Sequence, residues 1–279
     1  WGVPLVATFH TLAEIKKRAL AGHREPPIRS QEERRVIAAA SRIIAFSRHE
    51  RESIAQLYGV SLEKVEVIPC GVDASVFKPV DRGEARKLRG WDGGKVVLWV
   101  GRIEPMKGLD LLLRTTALLD GGDSLRVLIV GGEAGADGEV RSLKALARQL
   151  GLGRKVKFTG AMDQRLLPYY YSAADVCVVP SYYESFSMVA LEAQACGTPV
   201  VAGRVGGVQN VVRHGETGYL VPYHCPESFA NSLETVLYNE ALRKVMGCAA
   251  RRWAHSMTWE RVALRVSQVY ASLRPLEVV

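Results

Sequence analysis

Val96-Val97-Leu98-Trp99-Val100 runs straight into Gly101-Arg102-Ile103-Glu104-Pro105-Met106-Lys107-Gly108, and Leu109–Leu119 continues with apolar residues at helical spacing. A five-residue run without a polar break has no wet face. It reads as a strand buried on both sides, as in a parallel sheet covered by helices. The glycines on either side of the basic loop let the chain turn tightly before the helix begins.

The same strand–loop–helix rhythm repeats downstream. Leu125–Val130 is a strand ending in Gly131-Gly132, and Val140–Leu150 an amphipathic helix. Val156–Thr159 is a strand, Gln164–Ala173 a helix, and Val176–Val179 a strand. Met188–Cys196 is a helix, Pro199–Ala202 a strand, Val208–Arg213 a short helix, and Tyr219–Val221 the last strand before a helical end. Apolar strands alternating with helices predict an α/β fold with a doubly wound parallel sheet, in which ligands sit at the carboxyl ends of strands.

Working back toward the start, Val3–Thr8, Arg42–Ala45 and Val65–Pro69 are strand-like, and Glu32–Ala40 and Glu50–Tyr58 helical. These are too few for a whole domain of this type. The turn-rich segment Pro69–Pro79 reads as a linker between two Rossmann-like lobes. The expected organisation is a partial amino-terminal lobe with linker over 1–78, a complete carboxyl-terminal lobe over 79–255, and a terminal helix over 256–279 that packs back across the boundary. The first residue is Trp1 and the first apolar run is already a strand, so we expect the sequence to begin inside a protein.

Composition narrows the function classes. Of 279 residues, 48% are hydrophobic and 24% charged, a globular balance. No apolar run approaches the roughly 20 residues of a membrane-spanning helix. The net charge of +8 favours anionic partners. The charge is dispersed and no nucleic-acid motif occurs, so no nucleic-acid partner is expected. The basic surface leaves peripheral membrane contact open, and a homo-oligomer is open too. Five widely spaced cysteines without a CxxC argue against a disulfide framework or structural zinc and for a reducing cytoplasm.

Three elements carry candidate chemistry. In the first, Arg102 and Lys107 project at a strand's end, where a guanidinium fork and an ammonium neutralise a diphosphate; a merely solvated basic loop is the plain alternative. The second is Glu184-Ser-Phe-Ser-Met-Val-Ala-Leu-Glu192. Ser185 or Ser187 caps the coming helix, and the amides of Phe186, Ser187, Met188 and Val189 then face out as a phosphate site. Glu192, set among apolar neighbours, suits a vicinal diol such as ribose, and Glu184 meets what hangs beyond the phosphates. Surface charges are the plain alternative. The third, Cys196-Gly-Thr-Pro-Val-Val-Ala202 with Gly203-Arg-Val-Gly-Gly207, is either a tight βα turn or a backbone-lined pocket. His10 ends the first strand as a base, a donor or a cap. Arg29 follows Pro26-Pro27 and reads as a loop residue free to reach a ligand. The tyrosine clusters 169–171 and 182–183 read as packing. His214 and His224 lack metal-ligand spacing, and no Asp-x-Asp is present, so no metal is expected.

Taken in this order, the strand–GRxxxxKG element, the Glu-x7-Glu pair, GTPVV and GETG make residues 95–240 resemble the carboxyl-terminal domain of GT-B glycosyltransferases of the retaining family 4. Residues 1–80, including IPCGVD at the linker, resemble the second half of that family's amino-terminal domain. HTLAEIKKRAL and PPIRSQEE look like the branch that glycosylates inositol phosphate on the way to mycothiol, and the sucrose-phosphate synthase branch is similar. The family's amino-terminal glycine-rich loop has no counterpart, leaving about a third of a two-lobed enzyme outside the chain.

The resemblance implies that Arg102 and Lys107 hold the donor diphosphate. Glu184 lies near the donor sugar, Glu192 clasps the ribose, and Phe186 to Val189 hold phosphate and sugar. The backbone from Gly160 to Met162 lines the base. His10 stands close to the donor sugar, and Thr11 and Arg29 lie on the acceptor side. It implies metal-independent transfer, with retention of configuration, from a nucleoside-diphosphate sugar, UDP-glucose or UDP-N-acetylglucosamine first, to a sugar- or inositol-phosphate acceptor, with no cofactor. A sugar-nucleotide epimerase and a non-catalytic sugar-nucleotide-binding module are the alternatives.

Overall fold

A computed structural model describes residues 3–19, 25–88, 90–91, 93–132, 137–222 and 224–273. The first lobe runs β1 (Val6–Thr8), α1 (Ala13–Ala19), α2 (Pro27–Ala39), β2 (Arg42–Ala45), α3 (Arg48–Tyr58) and β3 (Val65–Val67). The second begins with α4 (Arg82–Leu88), β4 (Lys95–Gly101), α5 (Leu109–Leu118), β5 (Leu125–Gly131), α6 (Asp137–Gln149), β6 (Val156–Gly160) and α7 (Leu167–Ala173). It continues through β7 (Val176–Val179), α8 (Met188–Ala195), β8 (Val200–Gly203), α9 (Val208–Val211), β9 (Gly218–Val221), α10 (Pro226–Leu237), α11 (Glu240–Ala254) and α12 (Trp259–Ser272).

All strand pairs are parallel. The small sheet is ordered β1-β2-β3 and the large one β6-β5-β4-β7-β8-β9. The apolar runs deal alternate residues to two helix layers, as a period of two requires. Val96, Leu98, Leu128, Val130, Cys177 and Val200 enter one core. Val97, Trp99, Val127, Ile129, Val178 and Val201 enter the other. Counted within the large sheet alone, the order is 3-2-1-4-5-6, the doubly wound Rossmann pattern. Its ligand crevice opens where the order reverses, between β4 and β7.

One buried charge cluster ties the far edge of this lobe. Asp175, 1% exposed, accepts from the Val96 amide at 2.8 Å and pairs with Arg82 at 2.6 Å, Arg86 at 2.7 Å and Arg243 at 3.2 Å. It thereby joins α4 and α11 to the start of β4.

The lobes meet through the linker and the last helix. The Val72 amide donates to the Met257 carbonyl at 2.9 Å, and Val72 forms a parallel bridge with Thr258. On α12, Arg265 donates to the Val67 carbonyl at 2.5 Å and stands 3.6 Å from Glu66. No helix among the described residues is long and apolar enough to cross a membrane.

Two expectations need correction. The second helix starts at Pro27 rather than Glu32, because a proline in the first turn loses no hydrogen bond. Arg29 is therefore a helical residue, not a free loop one. It donates to Glu33 at 2.9 Å, to Glu25 at 2.7 Å and to the Thr11 carbonyl and hydroxyl at 3.0 Å each. Glu33, itself buried, also accepts from the Ala13 amide and from the Tyr58 hydroxyl at 2.6 Å. Its charge thus caps α1 and locks three helices together. The segment 164–173 is a 3-10 turn, Gln164–Leu166, followed by α7, with Pro168 in that helix's first turn.

Candidate functional site

A cavity of about 300 Å³ opens at the crevice between β4 and β7. Arg102 and Lys107 come from the loop after β4. Ser181, Glu184, Ser185, Phe186, Ser187, Met188 and Val189 come from the loop after β7 and the start of α8. His10, Phe46 and Cys70 close it from the first lobe.

The two second-lobe loops are fastened together by backbone. The Tyr182 amide donates to the Met106 carbonyl at 2.9 Å. Gly108, at φ 65°, lets the first loop sit against the Pro180 carbonyl, where a Cβ would collide. A third loop supports the second from below. The Gly207 amide donates to the Glu184 carbonyl at 2.9 Å, and Gly206, at φ 43°, leaves no room for a Cβ beside that same oxygen. The Gly203–Gly207 segment is thus a tight turn and a shelf. It does not line the cavity.

Lys107 donates to Glu184 Oε1 at 2.8 Å, and Ser181 Oγ donates to the same oxygen at 2.8 Å. Arg102 is turned outward onto Glu104 at 2.8 Å, its side chain 60% exposed. Ser187 is the N-cap of α8, its Oγ accepting from the Ala190 amide at 3.4 Å. It is the one described non-glycine residue with positive φ, 84°. The helix amides and the Lys107 ammonium therefore share one side of the crevice, with Arg102 at its rim, and an anion placed there meets N–H donors and positive charge together.

Glu192 stands one turn further along α8. It is 7% exposed and accepts from the Tyr171 hydroxyl at 2.9 Å. Burial pushes its carboxyl up to about 7. Gly160 ends β6, and Met162, packed against the core that holds Tyr171 and Phe186, and Gln164 follow it. None of the three lines the cavity, and neither do Thr11 and Arg29. His10 does; its ring packs on Phe46 at 5.5 Å, and Phe46 meets Phe186 edge-on at 6.5 Å.

Sequence reasoning missed Phe46, Cys70 and Ser181. Ser181 had a signal, since it follows the strand-ending Pro180 three residues ahead of Glu184. Phe46 and Cys70 had none, because only the approach of the lobes gives them a role. Tyr182-Tyr183 divides its work: Tyr182 stacks on His224 at 5.1 Å, while Tyr183 crosses the boundary into the first lobe's core.

Two lobes of parallel sheet facing each other across the carboxyl edge of a 3-2-1-4-5-6 sheet are the GT-B architecture. The chain belongs to the glycosyl transferases group 1 family, whose model matches residues 81–253; the Glycosyltransferase Family 4 model matches residues 1–76. It is 42% identical to a D-inositol 3-phosphate glycosyltransferase of Kribbella flavida, over 97% of this chain and 66% of that protein. It is also 42% identical to one of Rhodococcus opacus, over 94% of this chain and 60% of that protein. The chain thus spans three fifths to two thirds of the length of these relatives. Among solved structures it is similar to a sucrose-phosphate synthase from Thermosynechococcus elongatus, with a TM-score of 0.87 and 34% identity, covering 96% of this chain and 67% of that one. It is also similar to Anabaena HepE solved with UDP and glucose, with a TM-score of 0.86 and 25% identity, covering 97% of this chain and 72% of that one.

Proposed function

We propose that the full-length protein transfers a sugar from a nucleoside-diphosphate sugar, UDP-sugar first, to a hydroxyl of a sugar- or inositol-phosphate acceptor, with retention and without metal. The observation that carries the reading is the Lys107–Glu184 pair at 2.8 Å, which lines one cavity together with the amino end of α8. The names of the 42%-identical relatives support inositol phosphate as the acceptor. The Anabaena complex supports UDP in the donor.

Breaking the anomeric C–O bond places negative charge on the departing diphosphate. Lys107, Arg102 and the amides of Phe186 to Val189 stabilise that charge as it develops, which is where preorganised donors accelerate most. Glu184, held by Lys107 and Ser181, orients the sugar hydroxyls while the anomeric carbon becomes oxocarbenium-like. The acceptor oxygen attacks from the face the diphosphate leaves, and its proton passes to a phosphate oxygen. Glu192 takes the ribose hydroxyls and the Gly160–Met162 backbone lines the base. Residues 1–78 supply the acceptor side, with His10 near the sugar and Thr11 and Arg29 beyond it. Residues 79–255 hold the donor. Burial of the reacting centre between the lobes favours transfer over hydrolysis.

The deciding experiment incubates the full-length protein with UDP-glucose or UDP-N-acetylglucosamine, with and without inositol 3-phosphate or fructose 6-phosphate, in the presence of a chelator. An α-linked product formed only with acceptor supports the reading. A product from donor alone indicates an epimerase, UDP binding without turnover a binding module, and a β-linked or chelator-sensitive product a different mechanism.

A further inference from the structure

Glu50 sits in the first turn of α3 and is 2% exposed. One of its oxygens is accounted for. Oε2 accepts from the Phe46 amide at 2.6 Å, and the Glu50 amide donates to Ser47 Oγ at 3.1 Å, the reciprocal bonding of a capping-box pair displaced by one residue. The other, Oε1, is buried without a hydrogen-bond partner. Leaving a buried acceptor unmade costs about 1–3 kcal/mol, more for a charged group. Such an atom calls for an explanation that capping does not supply.

Its surroundings supply one. Phe46 and Cys70 form the first-lobe wall of the cavity. The charge of Glu50 is felt by the Cys70 thiol and, across the lobe boundary, by the Tyr183 phenol, adding in both to the upward push of burial. Tyr183 is a second-lobe residue, yet its ring is buried in the first-lobe core with Tyr58, Val65 and Ala45. The next residue along the chain is Glu184.

We propose that Glu50 is a positioning residue for the cleft: its unpartnered Oε1 accepts a hydrogen bond from the Tyr183 hydroxyl, and this cross-lobe pair sets the loop that presents Glu184. The kinetic consequence rests on the transferase reading; the contact itself does not.

The test is a double-mutant cycle in the full-length enzyme with Glu50→Gln, Tyr183→Phe and both together. Glutamine keeps an acceptor for the Phe46 amide, so the helix start survives. Each single variant lowers kcat about tenfold with the donor KM within about twofold, and the double variant falls no further than the worse single, since both remove one contact. Wild-type kcat in either single variant, or multiplied losses of about a hundredfold in the double, overturns the pair. If the full-length protein transfers no sugar, the transferase reading fails on its own. The same cycle is then read in urea unfolding, where non-additivity of about fivefold or more in the unfolding constant upholds the pair and additivity within about twofold overturns it.

Discussion

Lys107 reaches Glu184 at 2.8 Å although the two stand 77 residues apart, on loops that leave neighbouring strands β4 and β7. The pair places a cation and a carboxylate at the crevice where the order of the large sheet reverses. In the full-length enzyme, Lys107→Ala is expected to lower kcat/KM by about two to three orders of magnitude, the size of losing one preorganised transition-state donor. Arg102→Ala is expected to cost about tenfold, because its exposed guanidinium is screened by water and salt. Steady-state kinetics and UDP calorimetry decide. Wild-type donor affinity and turnover in Lys107→Ala would remove the charge-stabilising role.

Glu192 links stability to pH. Burial raises its folded-state value to about 7, above the unfolded carboxylate range, and Glu50 is raised in the same way. Between the two values the native state holds the extra proton, so stability is fully present at low pH and is lost as pH rises through about 7. Urea unfolding should show the wild type losing about 2 kcal/mol more than Glu192→Gln between pH 5 and pH 8. Parallel stability curves for the two proteins would contradict this.

Ser187 keeps a side chain where the backbone favours glycine, at φ 84°. Ser187→Gly gives up the cap, at a cost of about a few tenths of a kcal/mol, but relieves the left-handed conformation, so it should stabilise the chain by about 1 kcal/mol net. Ser187→Ala keeps the strain and loses the cap to the Ala190 amide, so it should destabilise by about 1 kcal/mol. Thermal unfolding of the three proteins orders them, and a glycine variant less stable than the wild type defeats the strain account.

Asp175 pairs with Arg82, Arg86 and Arg243 together. Asp175→Asn leaves three guanidiniums without their counter-charge at the base of β4 and should cost about 3–5 kcal/mol of folding stability. Chemical denaturation measures this directly. A loss below about 1 kcal/mol would mean that the arginine bonds to backbone carbonyls suffice.

Much of the fold was legible because the cause is local. Val176–Val179 and Arg42–Ala45 coincide with their strands, and Val96–Val100 falls short of its strand by one residue at each end. An apolar run between turn residues has few other ways to hide its backbone. The motif loops were legible for the same reason, since glycine, proline and a helix-capping serine announce a strand's end. Arg29 was misplaced because the fate of its guanidinium depends on Glu25, Glu33 and Thr11, which only folding gathers. The Gly203–Gly207 loop left two readings open, and the approach of its backbone to the Glu184 carbonyl decided for the shelf.

Alone, the chain's chemistry determined a doubly wound parallel sheet, two lobes, and basic and acidic residues at strand ends, since hydrophobic period and turn residues act over a few positions. The folded arrangement decided that β4 and β7 are neighbours, so that Lys107 meets Glu184. It also decided that Arg102 rests on Glu104, and that Tyr183 crosses into the opposite lobe's core. Strand order and lobe approach are set by summed packing between segments distant in sequence, and no local pattern carries that sum.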